Sequence, residues 1–90
     1  MAWTFSFEER AAKEFKKLSK DEQIRISNYI RKRVLVLDDP LSIAKPLKYD
    51  LVGLWRYRVE KIRIICSVDK EQQEILILAI GKRDKIYTNT

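Results

Sequence analysis

The first part of the chain changes from a two-residue to a helical period. Apolar and hydroxyl side chains alternate from Trp3 to Phe7, and this alternation predicts a short opening strand. From Glu8 onward the apolar residues recur at spacings of four, four and three, which predicts an amphipathic helix with one buried face. The residues of that face are Phe7, Ala11, Phe15 and Leu18.

A second helix is predicted to begin after Ser19. Ser19 and Glu22 have the spacing of a capping box, in which the hydroxyl and the carboxylate each accept a hydrogen bond from a backbone amide. The proline of Asp38-Asp39-Pro40 marks the helix end, because proline disfavours helical geometry in the preceding residue. The two helices should form a hairpin, followed by a surface loop from Leu41 to Asp50. The buried stripe of the second helix consists of Ile26, Ile30, Val34 and Leu37.

Three further strands follow, approximately Leu54 to Val59, Ile62 to Val68 and Glu74 to Ile80. Their short polar connections favour antiparallel hairpins, because parallel pairing would need longer crossovers. The last strand is apolar on both faces, which predicts a central position with at least one face under the helices. The sequence thus predicts one α+β domain over residues 1–90, with an N-terminal strand and a helical hairpin packed on an antiparallel sheet.

The net charge and the scarcity of histidine and cysteine limit the classes of function that the protein can have. Lys and Arg number 19 against 13 Asp and Glu, a net charge of +6, which favours nucleic acid or an acidic protein as partner. The chain has no histidine and a single cysteine, Cys66, so we expect no metal site and no cofactor. A lone thiol, no signal peptide and no membrane-spanning apolar stretch lead us to expect a cytoplasmic protein.

Arginines are concentrated on the first hairpin of the predicted sheet. Strand alternation places Arg56 and Arg58 on the face opposite the aromatic residues. If Glu60 and Lys61 form a two-residue turn, Arg58 lies directly across from Arg63. Like charges facing each other destabilise a sheet by about 0.2–1 kcal/mol, so we interpret these arginines as an anion-binding cluster. The alternative is neutralisation by nearby carboxylates, for which the candidates are Glu60, Asp69 and Glu74.

Further candidate residues follow the last strand. Gly81 can release the backbone and send basic groups past the strand end, so Arg83 and Tyr87 could meet the other arginines. The planar arginine fork grips phosphate through two hydrogen bonds, and a phenol can stack on a base or exchange a proton. The alternative for Tyr87 is a packing role near a terminus.

Together these segments resemble a known family. The runs LWRYRVEKIRIIC and ILILAIGKRDKIY resemble the RelE/ParE superfamily of bacterial toxins over nearly the whole chain, and the RelE branch most closely. RelE-type toxins are ribosome-dependent endoribonucleases that cut messenger RNA in the decoding site, and a cognate antitoxin holds each inactive. The resemblance implies the same activity here, with the ribosome, messenger RNA and an antitoxin as partners, and with neither a membrane nor a small-molecule cofactor.

The resemblance also implies a set of site residues. Tyr87 would act as general base and Arg83 would stabilise or protonate the leaving 5′-oxygen, while Arg56, Arg58 and Arg63 would hold the phosphate, giving 2′,3′-cyclic phosphate and 5′-hydroxyl ends. Two departures bear on the acid and the base: many relatives have Gly-Asp-Tyr in place of residues 60–62, and many have histidine in place of Lys82. The lysines expected to bind RNA are Lys48, Lys61, Lys82 and Lys85.

Two other functions fit parts of the sequence. A ParE-like inhibitor of DNA gyrase would share the architecture and cut nothing. A nucleic-acid-binding module without catalysis would explain the basic charge but would give Tyr87 no special role. Loop lysines such as Lys48 are, on the general rule, more often simply solvated.

Overall fold

Helices and strands follow one another in an order close to the predicted one. The structure is a computed structural model that describes residues 3–48 and 52–82. A π-helical turn (Ile30–Val34) and a 3-10 turn (Pro40–Ile43) follow the second helix. In chain order the helices and strands are β1 (Thr4–Phe7), α1 (Glu9–Lys16), α2 (Lys20–Tyr29), β2 (Lys45–Pro46), β3 (Trp55–Val59), β4 (Ile62–Asp69) and β5 (Glu74–Lys82).

The strands form a five-stranded mixed sheet in the order β1-β5-β4-β3-β2. The prediction that the last strand is central is confirmed, because β5 lies between β1 and β4 and α1 packs against it. The pairs β5–β4, β4–β3 and β3–β2 are antiparallel, as expected for hairpins. β1 is instead parallel to β5, which is possible because the helices and the other strands lie between them in the chain.

A short edge strand, β2, occupies part of the segment predicted to be a loop. Lys45 pairs with Arg56 and Pro46 with Trp55. Proline cannot donate a hydrogen bond to a strand ladder and is confined to edge strands and strand ends. The segment that contains Pro46 was therefore not predicted to be a strand. This strand brings Lys45 to the edge of the hairpin that carries the arginines.

The predicted capping box is present at the start of α2. The Ser19 amide donates to the Glu22 carboxylate at 3.0 Å, and the Glu22 amide donates to the Ser19 hydroxyl at 3.2 Å. The helix was predicted to run to the Asp-Asp-Pro sequence, but regular α-helical bonding ends at Tyr29. In a helix of 3.6 residues per turn, apolar side chains spaced four residues apart move gradually around the helix axis and away from the core. The π-helical turn has more residues per turn and brings them back to the buried side. The three residues that stay buried as a result are Ile26, Ile30 and Val34.

The core lies between the helices and one face of the sheet. The helical side contributes Ala11 and the three buried residues of the α2 stripe. The Tyr57 ring enters this core from β3, and its hydroxyl donates to the Pro40 carbonyl at 2.7 Å. The other strand residues of the core are Val59, Ile62, Ile64, Cys66, Ile75, Ile77 and Ile80.

A β-bulge shifts the pairing of β5 with β4. Leu78 is the extra residue between the pairs Ile65–Ala79 and Cys66–Ile77. Because of this shift, the buried isoleucines of β5 fall at spacings of two and then three residues, which a strict alternation could not predict. These isoleucines are Ile75, Ile77 and Ile80.

Within the ranges that the structure describes, none of the helices combines the length and the apolar character needed to cross a membrane.

Candidate functional site

The predicted arginine cluster lies on the sheet face opposite the helices. The predicted register of the hairpin is confirmed, with Arg58 directly across from Arg63. Arg56 is two residues from Arg58 on the same strand and therefore points to the same side. The intervening Tyr57 is only 3% exposed and belongs to the core, so the two faces of β3 are separated as the alternation predicted. Arg56 and Arg63 are partly buried, and Arg58 is exposed.

The hairpin turn fixes the direction of the Arg58 side chain. Arg58 Nε donates to the Glu60 carbonyl oxygen at 2.9 Å. Glu60 has a φ of 56°, a left-handed conformation that is uncommon for a residue other than glycine. Because a guanidinium carries five N–H donors and Nε supplies only one of them, the bond to the turn orients the fork while leaving its outer nitrogens for a ligand.

The carboxylates proposed as neutralising partners lie elsewhere or are already paired. Asp69 is six residues from Arg63 along β4, about 20 Å at the rise of a strand, and Glu74 pairs with Asp69 at that distant end. The Glu60 carboxylate accepts from Arg25 Nη1, at 2.9 Å to Oε2 and 3.2 Å to Oε1. The arrangement therefore favours an external anion over these three acids as the counter-charge for Arg58.

A cleft of about 520 Å³ opens beside Arg58, between the hairpin turn, α2 and the end of β5. Four cationic side chains and two carboxylates line it, so its lining carries an excess of positive charge. An excess of positive charge along a cleft attracts anionic ligands. The lining residues are Glu22, Arg25, Arg58, Val59, Glu60, Lys61, Ile62 and Lys82.

The structure gathers some of the predicted RNA-binding lysines and not others. Lys61 and Lys82 line the cleft with Arg58. Lys48 is exposed beyond the end of β2. The remaining predictions, Arg83, Lys85 and Tyr87, lie outside the described residues. Lys82 is the last residue of β5 and pairs with Ile62.

Sequence reasoning missed Arg25 and left Lys45 among the loop lysines that are more often simply solvated. Arg25 lies on the exposed side of α2 and reaches the hairpin turn 35 residues later in the chain. Lys45 pairs directly opposite Arg56, on the same face of the sheet. The position of Lys45 was hidden by the proline after it, and no sequence signal linked Arg25 to Glu60.

The titratable groups of the core are not suited to proton transfer at neutral pH. Burial raises the pKa of the Tyr57 hydroxyl, and burial also raises the pKa of Tyr29. Burial raises the pKa of the Cys66 thiol to about 12. These groups stay protonated at neutral pH, and Tyr57 already donates its proton to Pro40. Among the described phenols and the thiol, therefore, none is a good general base.

Comparison with solved structures identifies the same fold in known toxins. The toxin–antitoxin complex RelBE2 from Mycobacterium tuberculosis aligns with a TM-score of 0.82 at 23% identity, covering 92% of this chain and 100% of that chain. The isolated RelE toxin of E. coli aligns with a TM-score of 0.71 at 18% identity, covering 98% and 94%. A YoeB/ParE toxin from Agrobacterium tumefaciens aligns with a TM-score of 0.66 at 19% identity, covering 89% and 98%.

The sequence itself matches a family model. No curated protein matches the chain at a significant level of similarity. The model described as the ParE toxin of type II toxin–antitoxin systems, parDE, matches residues 5–87, a range that includes the helices, the arginine cluster and every described strand residue except Thr4. The chain therefore belongs to the RelE/ParE superfamily of type II toxin–antitoxin toxins.

Proposed function

We propose that this toxin is an endoribonuclease that cuts messenger RNA on the ribosome. The observation that supports this most is the strand register, which sets Arg58 opposite Arg63 and Arg56 on the same face. Such convergence of like charges costs stability in a sheet, and a bound phosphodiester would offset that cost. Arginine forks are suited to the equatorial oxygens of a phosphate.

The proposed reaction is an in-line attack within the RNA strand. Tyr87, in its phenolate form, accepts the proton of the 2′-hydroxyl, whose oxygen forms a bond to the adjacent phosphorus. The bond from phosphorus to the 5′-oxygen breaks, and the leaving oxygen is stabilised or protonated by Arg83. The products are a 2′,3′-cyclic phosphate and a 5′-hydroxyl. These two roles come from the resemblance to RelE-type toxins.

The three described arginines would act by electrostatic stabilisation. Charge accumulates on the phosphate oxygens as the fifth bond to phosphorus forms, and preorganised cations lower the energy of that state more than the energy of the bound substrate. Arg58 is preorganised by its bond to the turn, so little side-chain freedom is lost on binding. The ribosome would supply the alignment of the 2′-oxygen with the scissile bond.

We also propose a cognate antitoxin as the protein partner. RelBE2 of Mycobacterium tuberculosis and RelBE of E. coli are toxin–antitoxin complexes. A partner that covers this cluster should be acidic, because the cleft beside it has more cations than carboxylates. Co-expression with the adjacent reading frame, followed by purification of the complex, tests this proposal.

The second candidate is a ParE-like inhibitor of DNA gyrase that cuts no RNA. The name of the matching family model favours it. The two functions leave different products, since the endoribonuclease leaves cyclic phosphates at ribosome positions on messenger RNA and gyrase inhibition leaves DNA breaks.

The test is translation in vitro with mapped messenger ends. Arg58→Ala and Arg63→Ala should each reduce ribosome-dependent cleavage by on the order of 100-fold, the usual effect of losing one donor to a transition-state oxyanion. Tyr87→Phe and Arg83→Ala should retain the fold and also lose cleavage. Arg31→Ala, which removes an exposed arginine next to α2, is the matched control and should keep full activity. Wild-type activity in the Arg58 and Arg63 variants would exclude the assignment.

A further inference from the structure

One residue of the hairpin turn, Glu60, is bonded by two arginines from different elements. Its backbone carbonyl accepts from Arg58 Nε at 2.9 Å. Its carboxylate accepts from Arg25 Nη1, with the shorter contact also at 2.9 Å. Glu60, Arg25 and Arg58 all line the cleft next to the arginine cluster, together with Lys61.

The Arg25–Glu60 ion pair is poorly placed to stabilise the fold. The two side chains are 55% and 60% exposed, and ion pairs at such positions contribute little because water screens them. The location of the pair is more informative, since it joins α2 to the hairpin that carries Arg58 and Lys61. The role of the pair should therefore be sought in the cleft.

Glu60 is the carboxylate nearest in sequence to Arg58 and Lys61. A free carboxylate in this turn would compete with a phosphate for the outer nitrogens of Arg58 and for the Lys61 ammonium, because both prefer an anion at hydrogen-bonding distance. Arg25 removes this competitor by holding the carboxylate on the α2 side of the cleft.

We propose that Arg25 is a positioning residue that keeps the Glu60 carboxylate away from Arg58 and Lys61, so that these two cations remain available to an RNA phosphate. The proposal rests on the proposed function for the identity of the anion. Arg25 acts through Glu60 and does not itself hold the phosphate. The loss of Arg25 should therefore matter only while position 60 carries a negative charge.

A double-mutant cycle measured by RNA binding tests this dependence. The probe is a fluorescent single-stranded RNA oligonucleotide with 2′-O-methyl groups throughout, which the proposed reaction cannot cleave. Arg25→Ala should weaken binding by roughly two- to fivefold, the range that corresponds to the loss of one exposed charge interaction. Glu60→Gln should bind at least as tightly as the wild type. Arg25→Ala made in the Glu60→Gln background should cause no further loss.

Two other roles predict different patterns. If Arg25 contacted the phosphate directly, its substitution would cause the same fold-loss in both backgrounds. If the Arg25–Glu60 pair only stabilised the turn, both single variants and the double variant would bind RNA more weakly, and their melting temperatures would fall together. Either result would overturn the proposal, as would failure of the wild type to bind the probe at low salt.

A matched pair controls for net charge. Lys13 and Glu9 form an exposed ion pair within α1, at 3.5 Å. Lys13→Ala and Glu9→Gln change the net charge as the test variants do, and they should leave binding unchanged. Arg25→Lys retains a cation and should keep most of the affinity.

Cleavage on the ribosome provides a separate readout. Arg25→Ala should raise KM for cleavage and leave kcat close to that of the wild type, because the arginines that meet the transition state are still present. If the wild type cuts no messenger RNA while the binding cycle shows the expected coupling, the proposed function fails and the positioning role of Arg25 stands. If the wild type cuts messenger RNA but the binding cycle shows no coupling, the proposed function stands and the positioning role of Arg25 is excluded.

Discussion

The Tyr57 side chain shows how a single buried hydroxyl can join two distant segments. Strand alternation predicted that its ring faces the core, which is confirmed, but nothing in the sequence indicated a partner for the hydroxyl. The partner is the carbonyl of Pro40, 17 residues earlier in the chain. This bond attaches the 3-10 turn after the helices to β3.

Tyr57→Phe should lower the free energy of unfolding by about 1–2 kcal/mol, because it leaves the Pro40 carbonyl buried without its donor. Urea denaturation gives this value. Tyr29→Phe is the control, since its ring packs on Tyr57 at a centroid distance of 6.3 Å and its hydroxyl makes no bond within the described residues. An equal loss in both variants would mean that the hydrogen bond to Pro40 contributes nothing beyond the loss of a hydroxyl at either position.

The Cys66 thiol should make stability sensitive to alkaline pH. Burial raises its pKa from 9.0 to about 12, so the folded state favours the neutral thiol. This contribution is fully present below pH 9 and is lost as pH rises towards 12, by up to about 1.4 kcal/mol per pH unit. The difference in the free energy of unfolding between wild type and Cys66→Ala should therefore shrink from pH 8 to pH 11. A constant difference would contradict the assignment.

At the scale of elements, the start of α2 depends on two reciprocal hydrogen bonds between Ser19 and Glu22. The bond from the Ser19 amide lowers the pKa of Glu22 below its ordinary 4.5. A carboxylate with a lowered pKa stabilises the folded state above its unfolded pKa, and this contribution is lost as pH falls. The box therefore favours the native helix at neutral pH.

Ser19→Ala should reduce the free energy of unfolding by about 0.5–2 kcal/mol, because one amide at the helix start loses its acceptor. Ser27→Ala removes the same hydroxyl from the interior of α2 and should be neutral or slightly stabilising, since alanine has the higher helix propensity. Thermal and urea unfolding of the two variants makes the comparison. Equal effects would show that the cap contributes nothing specific.

Sequence patterns predicted the elements whose signals are local. The capping box, the two-residue turn and the arginine register each follow from residues that are close together in the chain. β2 was missed because its two residues include a proline, and the bulge at Leu78 was missed because it appears only when β5 pairs with β4. Arg25 was missed for the same reason, since its partner is 35 residues away.

At the scale of the whole molecule, β1 joins the two ends of the described chain. Thr4 to Phe7 pair in parallel with Glu74 to Ile77, and the Glu8 amide donates to the Ile77 carbonyl at 2.9 Å. The rings of Phe7 and Phe15 lie 5.1 Å apart between this strand and α1. β1 thus covers one edge of the central strand and helps to seat the helix on it.

Deletion of residues 1–7 should abolish cooperative unfolding, because β5 would lose one of its two neighbours and the core would lose two phenylalanines. The ¹H–¹⁵N spectrum should lose dispersion, and the thermal transition should broaden. Ser6→Ala, an exposed substitution within β1, should leave both unchanged. A well-dispersed spectrum from the shortened chain would show that β1 is dispensable.

The position of β5 between β1 and β4 affects when, during translation, the arginine cluster can be assembled. This strand is translated after both strands that flank it. The backbone groups of β1 and β4 that pair with β5 therefore lack their partners until β5 has been made. Until β5 is inserted, the hairpin with the arginines has no firm support. The nascent polypeptide should therefore lack an assembled arginine cluster until β5 has been synthesised.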